Sequence, residues 1–124
     1  MKTSLPTVVA ALVALSSPAA AAGTTPRVLV GTWCVDDKMT KTPEGVTFYK
    51  RQRQCETAED SIVILPDRMI AAGEVGCKLL EVEAARGAWR LLHSCRHLSS
   101  GDHSVSDAWY SLSDPNTLRV KSGN

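Results

Sequence analysis

Four cysteines, three histidines and one cationic run are the residues of this 124-residue chain whose types and spacing bear on chemistry. Cys34, Cys55, Cys77 and Cys95 are even in number, and none of their spacings is the Cys-x-x-Cys of a zinc site or redox pair. They read as two disulfides, which leaves no thiol for nucleophilic catalysis. His93, His97 and His103 lie close in sequence, and His93, Cys95 and His97 share one parity of a strand. A three-histidine zinc site requires such groups to converge tetrahedrally with a fourth position open. Only Asp102 is placed beside them, so they read instead as polar groups at a strand end and in the loop Leu98 to Ser106, and no metal or other cofactor is expected. Asp102-His103-Ser104 and Ser106-Asp107 hold the residue types of a hydrolase. Without a Gly-x-Ser-x-Gly elbow, adjacency in sequence does not align nucleophile, base and orienter, and the chain is read as a non-enzyme.

The cationic run is Tyr49-Lys50-Arg51-Gln52-Arg53. Lys50, Arg51 and Arg53 are candidates for docking an acidic surface or a phosphate. Glu56, Glu59 and Asp60 follow closely, so the same residues also read as a solvated strand end with its charge balanced. Trp33, Trp89 and Trp109 read as core or barrel-end packing, with Trp109, if outward, a candidate contact for a partner.

These side chains need elements to position them, and the signals are those of strands. Val46 to Tyr49, Ser61 to Leu65, Arg68 to Ala72, Trp109 to Ser113 and Thr117 to Lys121 are short runs of strand formers separated by turn residues, and Arg27 to Val35 opens the series. Between Cys77 and Cys95, two further runs flank Ala85-Arg86-Gly87. A three-residue hairpin loop centred on Arg86 sets residue numbers that sum to 172 opposite one another, and Cys77 and Cys95 sum to 172. Directly opposed residues lie close enough to be bridged. Cys34 then pairs with Cys55 by elimination. In a simple first hairpin Cys34 sits near Thr47, so for that second bridge to close either one strand bends back or the segment Asp36 to Gly45 packs as more than a loop. In the last hairpin, pairing about Pro115 sets Leu112 opposite Leu118 and Tyr110 opposite Val120, while Trp109 and Arg119 turn to the other side. Ala72 to Ala85 is the best competing helix, but Gly73, Gly76 and Gly87 interrupt or end it. The expected fold is all-β, a small antiparallel meander closing or nearly closing into a β-barrel stabilised by two disulfides.

At the N-terminus, Lys2 supplies a positive charge, Val8 to Leu15 an apolar stretch, and Ser16 to Ala22 a small-residue cleavage region. Residues 1–22 read as a signal peptide and residues 23–124 as a single small β domain, periplasmic or secreted. The apolar stretch falls well short of the roughly 20 residues that cross a bilayer, so no membrane anchor is expected. Of the 14 Lys and Arg only Lys2 lies in the leader, so 13 cations face 13 carboxylates in the mature chain. That balance argues against a nucleic-acid or other general polyanion binder. With 22% charged and 44% hydrophobic residues, the composition is that of a folded globular protein.

Gly31-Thr32-Trp33 on the first strand resembles the Gly-x-Trp that opens the barrel in lipocalins and, more loosely, other calycin-like barrels. The resemblance implies that Trp33 plugs one barrel end and that Arg119, a basic residue on the last strand, packs across it. In size the chain is similar to bacterial periplasmic inhibitors of secreted metalloproteases, which act through an N-terminal arm; the arm here would be Gly23 to Pro26. The expected function is an exported, monomeric, non-enzymatic binding domain for an unidentified protein or small-molecule partner. The alternatives are a periplasmic protease inhibitor using that arm, and a small-ligand carrier with an interior cavity.

Overall fold

The computed structural model describes residues 23–36, 38 and 43–123. The expected signal peptide, and residues 37 and 39–42 of the loop between the first two strands, lie outside the described residues. A 3-10 turn, Arg27–Leu29, leads into eight strands: β1 Gly31–Val35, β2 Val46–Arg51, β3 Ser61–Ile64, β4 Arg68–Ala71, β5 Val75–Ala85, β6 Ala88–His97, β7 His103–Asp114 and β8 Thr117–Ser122. They form one closed antiparallel barrel in the order β1-β2-β8-β7-β6-β5-β4-β3, with β3 returning to β1. Closure pairs every strand on both sides and leaves no edge. From β3 to β8 the chain is a meander, but β1 lies between β2 and β3, so the connection from β2 to β3 must pass over β1. Cys55, in that connection, is bonded to Cys34 on β1, with Cα atoms 5.5 Å apart. The bridge thus pins the crossing, and it covers Cys34, which is only 5% exposed.

Three expectations about these elements need correction. Arg27–Leu29 is a 3-10 turn and not the start of β1, because the Leu29 N–H bonds to the Pro26 carbonyl (3.0 Å) and the Val30 N–H to the Arg27 carbonyl (3.1 Å). Cys34 faces Lys50 and not Thr47, and β2 ends at Arg51, after which the chain turns back over β1 and brings the Cys55 Cα to 5.5 Å from that of Cys34. His103 to Ser106 belongs to β7 and not to a loop.

The long hairpin reaches the Cys77–Cys95 bridge by a different route from the one expected. Its turn has two central residues, Arg86 (φ 47°) and Gly87 (φ 78°), so Ala85 faces Ala88 and the register begins one residue away from the three-residue loop. An irregularity between Leu79 and Glu81 then shifts the register, so that Leu79 faces His93 and Cys77 faces Cys95. The extra residue, Leu80, is a β-bulge, and bulges both absorb such offsets and tighten the local twist. The last hairpin repeats the device: Asp114 faces Thr117 across Pro115-Asn116, and a shift between Leu112 and Asp114 restores Leu112 to Leu118 and Tyr110 to Val120.

Alternation along the strands then sorts the side chains. Trp33, Ile62, Ile64, Met69, Leu91 and Leu118 point inward and are buried, each contributing roughly 1.5–3 kcal/mol of transfer free energy. The Cys77–Cys95 bridge belongs to the same buried cluster.

Candidate functional site

The two ends of the barrel differ. At one end Trp33 is fully buried, and its indole N–H donates to the Leu29 carbonyl at 2.9 Å. The cation across its ring is Arg51, whose guanidinium carbon lies 4.2 Å from the ring centroid. Arg51 also donates to the backbone carbonyls of Val30 (2.9 Å), Val28 (2.8 Å) and Pro115 (3.3 Å). One planar guanidinium therefore ties together the entry turn, β1, β2 and the β7–β8 turn. The expectation that Arg119 packs on Trp33 is corrected: Arg119 faces Phe48 and Ser111 on the parity opposite to the core, so it cannot reach the plug. Gly31 belongs to the same assembly. It has φ 147°, and a Cβ there would stand 2.6 Å from Arg51 Nη1. Glycine is needed so that the guanidinium can cross β1.

The opposite end encloses a cavity of about 560 Å³. Its wall includes Tyr49, Ile62, Met69, Ala108, Tyr110 and Val120, and towards the rim Thr47, Ser106 and Ser122 add hydroxyls. Tyr110 is 2% exposed, and its hydroxyl contacts Met69 Sδ at 3.5 Å. Burial, with the nearby Tyr49 phenol adding to it, pushes the Tyr110 phenol up to about 12. Burial also raises Tyr49, so both phenols stay neutral hydrogen-bonding groups across the physiological range. Mixed apolar walls and neutral hydroxyls suit an uncharged or weakly polar small molecule.

The three histidines do not converge. His93 faces Leu79 and Ser106 inside the barrel, is fully buried, and has no protein hydrogen-bond partner on either ring nitrogen. Burial lowers its pKa and keeps it neutral. His97 sits at the end of β6, bonded to Glu74 (3.1 Å) and Ser99 (3.0 Å). The His103 ring accepts from Arg96 at 2.7 Å on the outer face. The hydrolase-type residues separate as well. Ser106 turns into the cavity, whereas Asp107, at its rim, turns its carboxylate to the outer face and receives two hydrogen bonds from Arg90 at 2.7 and 2.5 Å. That hydrogen bonding holds the Asp107 carboxyl below its usual range.

The cationic run divides by parity. Arg51 turns in to the plug, while Lys50 turns out and donates to Thr117 (3.0 Å), and Arg53 is exposed beyond the strand. Arg51 Nε, Nη1 and Nη2 each donate to a backbone carbonyl within the fold, so Lys50 and Arg53 are the cations of the run that point outward. Trp109 is outward and half-buried, between Arg90 and Lys121. Gly23 to Pro26, the arm implied by the resemblance to protease inhibitors, lies against the barrel at Thr25. The Thr25 N–H bonds to the Pro66 carbonyl at 2.9 Å, and Thr25 is 2% exposed.

Sequence reasoning missed the cavity wall and the role of Arg51. Arg51 has the parity of Tyr49, and that alternation was the available signal. It acquires meaning only once Trp33 is known to face Arg51, a register set by loop length. No family model, curated protein or solved structure matches the chain. Function is therefore argued from the barrel itself.

Proposed function

We propose that this chain is an exported, non-enzymatic binding domain and that its ligand is a small, largely uncharged molecule held at the barrel end opposite Trp33. The supporting observation is the cavity of about 560 Å³, whose apolar wall carries the neutral hydroxyls of Tyr49, Tyr110 and Ser106. Its size falls within the roughly 300–1,000 Å³ range of small-molecule sites. Its position between a plugged end and a polar rim gives a ligand one way in. The inward-turned bond of Thr25 to Pro66 gives no comparable support to inhibition through Gly23 to Pro26. Two disulfides suit an oxidising compartment.

Native mass spectrometry of the protein purified from its own envelope or culture fluid tests this reading. The expected result is a small-molecule adduct that is lost on denaturation and absent from Ala71→Phe, which fills the cavity at a half-buried wall position. A wild-type protein that carries no adduct and takes up none from an extract of the same cells overturns it. An adduct unchanged in Ala71→Phe places the ligand elsewhere.

A further inference from the structure

The outer face of β4, β5 and β6 carries a second concavity, unconnected with the plug and on the outside of the barrel wall. It encloses about 570 Å³ between Asp67 and His103, with Ile70, Gly76 and Leu98 forming its apolar part. The registers stack cations there. Arg68 faces Lys78 directly across β4 and β5, and on the adjoining rung Gly76 faces Arg96, which in turn faces His103. Like charges directly opposite one another destabilise a sheet. The sole ion pair among these residues is the long, exposed contact of Arg68 with Asp67 at 3.9 Å, and among the described residues Lys78 and Arg96 have no carboxylate partner. In a chain with a formal net charge of only +1, this concentration of unpaired positive charge on one face is local.

The notch has a defined floor. Gly76 lacks a side chain in an ordinary strand position, and a Cβ there would meet only Leu98 Cδ2, at 3.6 Å. Leu98 is 65% exposed and stands as the wall of a hollow rather than as part of the core. An apolar hollow ringed by three cations complements an apolar group with anions on either side. A bilayer surface presents anions in a plane and is met by protruding apolar side chains, whereas a hollow receives a protruding one.

We propose that this groove docks an acidic segment of a partner protein, with one apolar side chain seated over Gly76 and flanking carboxylates paired with Arg68, Lys78 and Arg96. Arginine and lysine in a concave site raise both the association rate and the selectivity for an acidic partner.

The test is an amide chemical-shift titration of the disulfide-intact protein at low salt with the blocked peptide Glu-Asp-Leu-Asp-Glu. Saturable shifts clustered at Gly76, Lys78, Ser94, Arg96 and Leu98 are expected. Affinity should fall about tenfold or more in the double variant Lys78→Glu/Arg96→Glu, and likewise in Gly76→Phe. The double variant changes only exposed side chains, so it keeps the test valid should Gly76→Phe fold poorly. Three results overturn the proposal: no clustered shifts, an equal response to the lysine-substituted peptide, or unchanged affinity in the double variant. Binding to phosphatidylglycerol-rich vesicles without binding to the peptide overturns it in favour of a membrane surface.

Discussion

Arg51 joins several elements of the fold at one point, because its donors bond three backbone carbonyls while its guanidinium covers Trp33. Lysine keeps the charge but not the fork. Arg51→Lys is therefore expected to cost about 1–3 kcal/mol in urea denaturation, whereas Arg119→Lys should stay within about 0.5 kcal/mol. His93 makes an opposite kind of prediction. Its ring is neutral in the folded barrel because burial disfavours the charged form, so below the usual value of 6.5 the unfolded chain binds a proton that the folded chain resists. Stability must then fall as pH drops through that region, since the unfolded state holds more protons. His93→Leu removes both ring nitrogens that lack a protein partner. It should raise the neutral-pH stability by about 1–2 kcal/mol and flatten the decline in Tm between pH 7 and 5. Parallel Tm curves for wild type and variant over that window would refute this account of His93. At the alkaline end the sign reverses. The unfolded chain ionises Tyr110 near 10 while the folded phenol holds its proton to about 12, so stability is lost as pH rises between them.

Among the elements, the β5–β6 hairpin shows how turn and bulge act together. Arg86 and Gly87 both have positive φ, the backbone of a type I′ turn, and arginine is a costly occupant of the first position. Arg86→Asn should stabilise the hairpin by about 0.5 kcal/mol, and Gly87→Ala should destabilise it by about 1–2 kcal/mol, both read from thermal unfolding with the disulfides intact. The disulfide partners were legible in the sequence because turn and bulge offsets cancel. A loop one residue shorter, offset by the one-residue bulge at Leu80, leaves Cys77 opposite Cys95, as the simple count also did. Turn chemistry spoke for itself in Asp114-Pro115-Asn116, where the Asn116 N–H bonds to the Asp114 carboxylate at 2.8 Å. The bulges did not announce themselves, since a single extra residue in a strand has no composition of its own.

For the whole molecule, closure and cross-linking carry the stability that a small core cannot supply alone. The bridges close loops with sequence separations of 21 and 18 residues. In the chain-entropy account each contributes on the order of 3 kcal/mol. Replacing Cys77 and Cys95 together by serine should lower the unfolding free energy read from urea denaturation by that order while Cys34–Cys55 remains, and a loss below about 1 kcal/mol would show that barrel closure alone suffices. By itself the sequence determined the strand-rich class, the number of bridges and the partners within the two long hairpins, because alternation, turn residues and cysteine parity act over short stretches of chain. Only the tertiary structure decided that β1 lies between β2 and β3, that Arg51 and not Arg119 covers Trp33, that His93 is sealed inside, and that a cavity remains at one end. Those outcomes depend on the register between strands far apart in sequence, which the closing of the barrel as a whole sets and no local pattern encodes.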